Sequence, residues 1–328
     1  MELKSYVSSI ESFRGLSKEE AFEFLKAYEN DEIQIEEFLE VAEKFRQYHM
    51  GNTVDLCSIM NVKSGACSED CRFCAQSSYY EAPSDHFDLC KADDIVAEAK
   101  LMEAAGVDRF SLVSSGGYLH EEDLINLENI YKRIKKETSL KICASHGILR
   151  PGQAERLKEA GVLRYHHNLE SSREYYKEVC STHGYEERIQ TVLGAMNADL
   201  EICSGGIFGL GETMKDRIDM AFEFKKLNVN SIPINILNPI PGTPFENNEE
   251  QNIDDLLFMT VLYRWIMPKT EIRFAGGRMK LGENSKVAFK SGVNGVLTGN
   301  FLTTTGSDIA SDRQMFEDMG YSLNREKA

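Results

Sequence analysis

The sequence predicts a (β/α)8 barrel that follows a short helical extension. From about residue 54, eight short β-like runs alternate with segments of helical periodicity. Strands alternating with helices indicate parallel βα units, and eight such units indicate closure into a barrel. An open, doubly wound sheet is the alternative architecture for the same pattern. The length, 328 residues, suits one such barrel or about two smaller domains.

Two helices are predicted ahead of the first strand. Ser17 precedes Glu19 and Glu20, and apolar side chains then recur at helical spacing as far as Tyr28. A second apolar stripe predicts a helix over residues 33–50. We therefore divide the chain into a helical extension at residues 1–50, a barrel at residues 51–305 and a C-terminal tail at residues 306–328.

The barrel elements are assigned from β-like runs and from the helical periodicity between them. Eight strands are predicted, at residues 54–60, 109–115, 140–145, 163–170, 200–208, 231–237, 271–276 and 295–299. The clearest helices between them are predicted at residues 93–105, 121–137, 212–227 and 254–267. The tail adds a helix at residues 309–319, which ends at Gly320.

The parity of side chains within these strands indicates what the barrel encloses. Alternate residues of a strand point to opposite faces. One face is apolar and suits a layer of covering helices. The other face carries polar and thiol side chains, at Cys57, Arg109, Ser111, Cys143, Cys203 and Arg273. Because a purely structural barrel is filled with branched apolar residues, this face predicts a group bound inside the barrel.

Composition and charge narrow the class of protein and of partner. The apolar fraction of 42% and the charged fraction of 27% are those of an ordinary globular protein. The net charge of −16 disfavours binding to nucleic acid or to an anionic membrane. No apolar run approaches the roughly 20 residues of a membrane-spanning helix, and no export signal is visible at the start. We expect a cytoplasmic protein.

Three of the eight cysteines form a CxxxCxxC cluster at Cys67, Cys71 and Cys74. Without an export signal a disulfide framework is not expected, so clustered thiols indicate metal or redox chemistry. Three thiolates on a short loop can hold one iron–sulfur cube and leave one iron open. Structural zinc would need a further Cys or His nearby, and a thioredoxin-type pair at Cys71 and Cys74 leaves Cys67 unexplained. Three unrelated buried cysteines are the remaining alternative.

This cluster carries a resemblance to a known superfamily. The spacing Cys67-x3-Cys71-x-aromatic-Cys74, directly after a first barrel strand, resembles the signature of the radical S-adenosylmethionine (SAM) enzymes. Further segments resemble the biotin synthase family within that superfamily. They lie at residues 63–77, 165–170, 203–213, 232–237, 242–244, 273–278 and 302–305. The resemblance covers roughly residues 50–320 and implies a (β/α)8 barrel that usually forms a homodimer.

The resemblance implies a sulfurtransferase that inserts sulfur into dethiobiotin to close the thiophane ring of biotin. Cys67, Cys71 and Cys74 would hold a [4Fe–4S] cluster, and SAM would bind its open iron. One electron, from a reductant such as flavodoxin or ferredoxin, would cleave SAM to a radical that abstracts hydrogen from unactivated carbons. The cofactors carry this chemistry, and the barrel positions and shields them.

The resemblance also assigns binding residues one by one. Positions suited to SAM are occupied by Phe73, Gly205, Gly206 and Gly209. Asn168 and Glu170 match positions that touch SAM ribose and substrate, although the family has Asp where Glu170 stands. Asn235 matches an amide that hydrogen-bonds the cyclic urea of the substrate. Two alternatives to these binding roles stay open: the glycines form only a turn, and the buried Asn235 has a purely structural role.

The family holds a second, sulfur-donating [2Fe–2S] cluster with three cysteines and one arginine. Cys143, Cys203 and Arg273 match three of these positions, but Ser111 stands where the third cysteine is expected. Serine is a poor iron ligand beside thiolate. Cys57 faces inward on the strand next to that of Ser111, and adjacent strands are about 4.8 Å apart. We hypothesise that Cys57 supplies the missing thiolate in an altered auxiliary cluster. A cluster of four irons is one form that it can take. Arg273 would then be a charge partner and not an iron ligand.

Other interpretations differ in the residues that they use. A hydrogenase maturase or a methylornithine-type mutase would not need inward thiols at Cys143 and Cys203. Lipoyl synthase carries a separate N-terminal cysteine triad, which this sequence lacks. A non-catalytic iron–sulfur protein would have no SAM site and no use for Asn168 or Asn235. The two cysteines outside the strand pattern are predicted to be bystanders; they are Cys90 and Cys180.

Overall fold

The computed structural model describes residues 10–302 and 306–323. Two helices come first, α1 at Lys18–Glu29 and α2 at Ile35–Met50. α1 begins at a capping box, in which the Glu20 N–H donates to Ser17 Oγ at 3.2 Å and the Ser17 N–H donates to the Glu20 carboxylate at 2.8 Å. Both predicted N-terminal helices are confirmed.

Nine parallel strands in the described ranges form one sheet that closes on itself. They are β1 Asp55–Lys63, β2 Arg109–Ser114, β3 Lys141–Ser145, β4 Arg164–His166, β5 Glu201–Cys203, β6 Gly206–Phe208, β7 Ser231–Ile236, β8 Glu271–Phe274 and β9 Gly295–Leu297. Their order is β5-β4-β3-β2-β1-β9-β8-β7-β6, and β5 also pairs with β7. That pairing, with Cys203 opposite Ser231, closes the barrel. The predicted (β/α)8 barrel is confirmed, and the open doubly wound sheet is excluded.

Two of the eight barrel positions differ from the prediction in detail. β5 ends at Cys203 and β6 begins at Gly206, so the strand predicted over residues 200–208 is interrupted. β4 ends at His166, and the chain beyond it stays hydrogen-bonded to the β5–β6 segment through the N–H groups of His167 and Leu169 and through a bridge between Glu170 and Gly206. Both irregularities lie at the carboxyl ends of strands, which is where (β/α)8 enzymes carry their active sites.

Helices connect the strands and cover the barrel. They are α3 Ala92–Ala104, α4 Glu121–Glu137, α5 Gln153–Ala160, α6 Tyr185–Asn197, α7 Met214–Lys226, α8 Ile253–Ile266, α9 Ser285–Phe289 and α10 Ile309–Asp318. Two 3₁₀ helices lie at Tyr176–Glu178 and Arg278–Asn284. The helices predicted between strands and in the tail are confirmed as α3, α4, α7, α8 and α10. α7 starts later than predicted because Thr213 is its N-cap.

The N-terminal helices pack against α8 beside the barrel. The Trp265 ring of α8 is fully buried, 5.2 Å from the Phe24 ring and 4.9 Å from the Phe38 ring. Every residue of α8 from Leu256 to Ile266 is buried, as expected for a helix with packing partners on all sides. None of the helices in the described ranges combines the length and apolar character that a bilayer crossing requires.

Side-chain parity in the strands follows the prediction. Leu56, Phe110 and Ile142 belong to the main apolar core between the sheet and its helices. The opposite faces line a cavity inside the barrel, with Cys57, Arg109, Ser111, Cys143, Cys203 and Arg273 among the lining residues. The polar, thiol-bearing interior is therefore a feature of the folded chain.

Candidate active site

The three clustered cysteines lie on the loop that follows β1. The chain leaves β1 through Gly65 and Ala66, which both adopt positive φ, at 76° and 48°. Backbone hydrogen bonds then fold the loop back on itself. The Cys67 N–H donates to the Gln76 carbonyl at 3.0 Å, and the Ser78 N–H donates to the Cys67 carbonyl at 2.9 Å. The loop presents three free, partly buried thiols, those of Cys67, Cys71 and Cys74.

These thiols suit an iron–sulfur cluster better than a single ion. Burial raises the pKa of the Cys67 and Cys74 thiols, that of Cys74 to about 11. A strongly bound cation is therefore needed to keep them as thiolates at neutral pH. Among the described residues, the side chains close enough to share one ion are Cys71, Cys180 and His183, rather than the three loop thiols. Thiols set farther apart fit separate irons of one cube.

A cavity of about 370 Å³ lies inside the barrel, and the inward faces of the strands form its wall. Cys57, Cys143 and Cys203 line it and are only 8%, 3% and 8% exposed. Ser111 pairs in register with Cys143 across β2 and β3. Phe73, from the cysteine loop, lines the same cavity, so the loop and the buried thiols border one space.

A network of paired charges lies at the N-terminal ends of the strands, and its three arginines, Arg109, Arg164 and Arg273, line the cavity. Asp55 is fully buried and accepts from Arg109 Nε at 3.1 Å and from Arg273 Nη2 at 2.9 Å. Glu271 accepts from Arg164 Nη1 at 3.0 Å and forms a second ion pair with Arg273. Because the Arg273 guanidinium is shared by two carboxylates, it is held as a charge partner within this network. Together these five residues form a network of buried, paired charges.

The buried thiols ionise unequally because their neighbours differ. Burial raises the pKa of Cys57 to about 12 and also raises the pKa of Cys143. Burial opposes ionisation of Cys203 too, but His166 and Arg273 outweigh it and lower the pKa of that thiol to about 6. His166 lines the cavity and lies opposite Cys203 in the register of β4 and β5. Of the three thiols that line the cavity, Cys203 is therefore the one most readily available as a thiolate.

Asn168 and Glu170 lie on the irregular chain after β4 and line the cavity. Asn168 Nδ2 donates to the Glu170 carboxylate at 3.1 Å, and Asn168 Oδ1 accepts from the Gly205 N–H at 3.0 Å. Arg188 of α6 donates to the Asn168 carbonyl at 2.8 Å and lies 3.4 Å from Glu170 Oε1. Glu170 adopts φ 66°, which is uncommon outside glycine. These contacts fix the carboxylate at the cavity wall.

Asn235 lies on β7 and also borders the cavity. Its Nδ2 donates to the Gly206 carbonyl at 3.0 Å, and its Oδ1 accepts from the Gly276 N–H at 2.9 Å. A primary amide has two N–H donors and two acceptor lone pairs. One donor and one acceptor of Asn235 therefore remain for a bound molecule.

The glycines after β5 have a structural cause. A Cβ at Gly205 would overlap the carbonyl oxygen of Pro233, and a Cβ at Gly206 would come within 2.7 Å of the Glu170 carbonyl oxygen. Gly209 adopts φ 107°, a conformation that favours glycine. The close approach of neighbouring strands thus requires small residues here, whatever else the segment binds.

Phe73 lies in a small apolar cluster beside the cysteine loop. Its partners are Val179, Ile207, Leu210, Leu237, Phe245 and Tyr175. The guanidinium of Arg72 lies over the Phe245 ring, 5.1 Å from its centroid. These contacts attach the loop to the strand ends around β6 and β7.

Comparison with known proteins identifies the family. Residues 61–224 match the Radical SAM superfamily, and residues 233–322 match the Biotin and Thiamin Synthesis associated domain. A biotin synthase of Acetivibrio thermocellus is 48% identical over 316 residues, which cover 96% of this chain and 98% of the relative. The chain belongs to the biotin synthase family. A biotin synthase of Fusobacterium nucleatum is 48% identical over 311 residues, covering 94% of this chain and 86% of the relative.

Solved structures show the same fold in more distant proteins. A methylornithine synthase aligns with a TM-score of 0.84 at 19% identity, covering 98% of this chain and 97% of the other. The FeFe-hydrogenase maturase HydG from Carboxydothermus hydrogenoformans aligns with a TM-score of 0.79 at 20% identity, covering 98% and 78%. At these identities the likeness concerns the barrel alone, whereas the sequence relationship is to the biotin synthase family.

Three side chains near these sites were given no functional role from sequence. Arg188 holds Asn168 and Glu170, and His166 lies beside Cys203. Cys180, expected to be a bystander, lies within 4.8 Å of the ligating atoms of Cys71 and His183. The contacts of Arg188 with Asn168, of His166 with Cys203 and of Cys180 with Cys71 join residues that are separated in the sequence, so no local pattern marks them. Of the segment at residues 302–305, only Leu302 lies within the described residues, and it lines the cavity.

Proposed function

We propose that this chain inserts sulfur into dethiobiotin to form biotin, as a SAM-dependent radical sulfurtransferase. The observation that carries the proposal is a single cavity bordered by the cysteine loop at Phe73 and by three buried thiols, those of Cys57, Cys143 and Cys203. Two groups that must meet, a hydrogen-abstracting centre and a sulfur source, can thus share one enclosed space. The names of the relatives at 48% identity support the same reaction.

Cys67, Cys71 and Cys74 would hold the [4Fe–4S] cluster. When bound, this cluster and SAM supply the radical that removes hydrogen from the substrate, and an auxiliary cluster supplies the sulfur. The residues of the chain bind and orient these groups and exclude water from them. An enclosed cavity suits that task because a reactive radical must meet only its intended C–H bond.

SAM would bind between the cysteine loop and the ends of β4 to β6. Glu170, held by Asn168 and Arg188, offers carboxylate oxygens that can accept from ribose hydroxyls. Residues with backbone or ring surface for the remainder of SAM are Phe73, Gly205, Gly206 and Gly209. Glu in place of the family's Asp lengthens the side chain by one carbon, and the contact with Arg188 anchors the longer side chain.

Dethiobiotin would lie deeper in the cavity, whose volume of about 370 Å³ falls within the range of small-ligand sites. The free donor and acceptor of Asn235 match the carbonyl and N–H of a cyclic urea. Asn168 is a second candidate for contact with the substrate. The ring would then face the buried thiols.

The auxiliary cluster would be held by Cys57, Cys143 and Cys203 instead of by the family's usual set. Ser111 is a poor substitute for the missing cysteine, and Arg273 is already paired with Asp55 at 2.9 Å. Three thiolates without an arginine suit a four-iron cluster with one open iron, which could hold the sulfide to be donated. Arg273 would then balance the cluster's negative charge.

The wider setting follows from this chemistry. The reaction needs a one-electron reductant, for which flavodoxin or ferredoxin is the expected class. As in the family, we propose a homodimer and a cytoplasmic location. The negative net charge of −16 gives no support to a nucleic-acid partner.

Anaerobic turnover tests the proposed reaction. The reconstituted chain, given SAM, a reductant and dethiobiotin, should form biotin together with methionine and 5′-deoxyadenosine. Cleavage of SAM should fall strongly when dethiobiotin is left out. Cys71→Ala should abolish both products because the cluster loses one of its three thiolates.

Cys90→Ala is the matched control for that variant. Cys90 is a thiol outside both clusters, and this variant should retain turnover. Biotin formation by Cys71→Ala at the rate of the unsubstituted chain would refute the proposal. SAM cleavage that never yields biotin would instead support another radical SAM reaction, and no cleavage at all would support a non-catalytic iron–sulfur protein.

A further inference from the structure

We propose that Asp70 is a positioning residue that holds the cysteine loop against the turn at residues 180–183, and that this contact sets both the retention of the [4Fe–4S] cluster and the affinity for SAM. The inference rests on the proposed function, since it assumes that the cysteine loop carries the cluster. Asp70 lies between two of the three loop cysteines and is not one of the proposed ligands or binding residues.

The Asp70 carboxylate binds two consecutive backbone N–H groups of the turn. Its Oδ1 accepts from the Ser181 N–H at 2.8 Å and from the Thr182 N–H at 3.1 Å. The Ser181 hydroxyl donates to the other carboxylate oxygen. Hydrogen bonds from N–H groups to a carboxylate are charge-assisted and roughly twice as strong as those between neutral groups. This side chain therefore joins the loop to the turn.

Further contacts hold the backbone around Asp70. The Asp70 N–H donates to Thr182 Oγ1 at 3.2 Å, and Tyr80 Oη donates to the Asp70 carbonyl at 2.5 Å. The carboxylate of the preceding residue, Glu69, lies 2.7 Å from Thr182 Oγ1 and 2.6 Å from His183 Nδ1. Asp70 is thus held at its N–H, at its carbonyl and at its side chain.

These contacts fix the position of Cys71, the next residue. Residues 68–76 belong to none of the helices and strands of the described chain, so the hydrogen bonds of regular structure do not place the cysteines. On the other side of Cys71, the Arg72 N–H donates to the Val179 carbonyl at 2.9 Å. Both neighbours of Cys71 are therefore attached to the same segment. A binding site works only when its groups are held within about 0.5 Å of the productive geometry.

The turn also leads to the proposed SAM contacts. Gly184 is the N-cap of α6, and Arg188 lies near the start of that helix. Arg188 donates to the Asn168 carbonyl at 2.8 Å and lies 3.4 Å from Glu170 Oε1. Asp70, the turn and the start of α6 thus form one series of contacts from the cysteine loop to Glu170. Because SAM would contact the cluster and Glu170 together, its affinity depends on the distance that these contacts set.

Loss of the Asp70 carboxylate should leave the fold intact. Ser181 and Thr182 are exposed, so water can replace the carboxylate at their N–H groups. The cysteine loop should then move relative to the turn while the barrel stays folded. The consequence is a weaker hold on the cluster rather than a general loss of structure.

Release of iron to a ferrous chelator under anaerobic conditions tests the inference in the holoenzyme. Asp70→Ala should release the iron of the [4Fe–4S] cluster about tenfold faster than the unsubstituted chain, the effect of losing one hydrogen bond to a charged group. Cys71→Ala should lack that cluster, so the iron that it still releases identifies the auxiliary cluster. Release of the auxiliary iron should not change in Asp70→Ala. Circular dichroism checks that each variant is folded.

Calorimetric titration with SAM, on freshly loaded samples of equal iron content, measures the second effect. The dissociation constant for SAM should rise by about fivefold in Asp70→Ala, as for a modest coupling between two sites. Asp70→Asn keeps an oxygen that can accept from the two N–H groups but loses the charge, so both values should lie between those of Asp70→Ala and of the unsubstituted chain. Asp88→Ala removes an exposed carboxylate outside the cysteine loop and should change neither value.

Iron release from Asp70→Ala at the unsubstituted rate would overturn the inference, and so would an unchanged dissociation constant for SAM. Should Asp70→Ala fail to fold, Asp70→Asn decides, and values equal to those of the unsubstituted chain would then overturn the inference. The proposed function fails separately, if Cys71→Ala keeps all of its iron. The two failures are therefore distinguishable.

Discussion

At the scale of single residues, charge pairing decides which side chains of the barrel interior are available as ligands. Removing an ion from water costs several kcal/mol, so buried charges need partners. Asp55 pairs with Arg109 and Arg273, and Glu271 pairs with Arg164 and Arg273. Arg273 would have to leave these partners to bind iron. The uncharged Cys57 thiol needs only to lose a proton.

The imidazole of His146 is also buried, and its protonation should make the protein less stable in acid. One imidazole nitrogen is hydrogen-bonded to Tyr131 Oη at 2.7 Å and the other to Ser114 Oγ at 2.8 Å. Burial lowers the pKa of the imidazole from 6.5 to about 3. The unfolded chain therefore binds a proton below pH 6.5 that the folded chain refuses. From pH 7 to pH 5, His146 should reduce the free energy of unfolding by about 2 kcal/mol.

Urea unfolding at both pH values measures that effect. His146→Gln keeps a polar side chain but has no group that titrates in this range. Between pH 7 and pH 5, the free energy of unfolding of this variant should fall by about 2 kcal/mol less than that of the unsubstituted chain. Equal pH dependence in the two proteins would show that His146 does not carry the loss.

At the scale of elements, the interrupted fifth strand connects the proposed SAM side of the site with the proposed substrate side. Gly205 lies between β5 and β6 and donates its N–H to Asn168. The next residue, Gly206, accepts from Asn235 at 3.0 Å. Both polar side chains are therefore positioned by the backbone of this one break. A shift of the break would move both.

Gly205→Ala should disturb this element. The new Cβ would overlap the carbonyl oxygen of Pro233 on β7, and backbone cannot give way as a side chain can. We expect a loss of stability of about 1–3 kcal/mol and weaker binding of both SAM and dethiobiotin. Chemical unfolding and calorimetric titration measure the two effects.

Gly194→Ala is the control for the same substitution elsewhere. Gly194 lies within α6, is exposed and has open space at its Cβ position. Alanine is favoured over glycine inside a helix, so this variant should gain about 0.5–1 kcal/mol. Equal stability of Gly205→Ala and the unsubstituted chain would contradict the role given to the break.

The eight strand positions could be predicted from sequence because each strand carries its own alternation and turn signals. The parity argument placed Cys57, Cys143 and Cys203 inside the barrel for the same reason. The break after Cys203 could not be predicted, since it depends on contact between Gly205 and Pro233, which are distant in sequence. α5 and α6 were not among the predicted helices, and α5 has only 8 residues.

At the scale of the whole molecule, closure of the barrel brings the site together. The pairing of β5 with β7 completes the wall on which Cys203 and Asn235 lie. The cysteine loop then reaches the same space through Phe73. Contacts between loops, such as Cys71 with Cys180, follow from this closure and leave no periodic trace in the sequence. Sequence therefore predicted the thiols of the site better than the side chains that support them.

The central claim is that Cys57 replaces the ligand lost at Ser111. Iron and sulfide content together with Mössbauer spectra of anaerobically purified variants test it most directly, with Ser111→Ala as the matched control. Cys57→Ala should lose the auxiliary iron and keep only the iron of the [4Fe–4S] cluster, whereas Ser111→Ala should keep both. Unchanged auxiliary iron in Cys57→Ala, or its loss from Ser111→Ala alone, would contradict the claim.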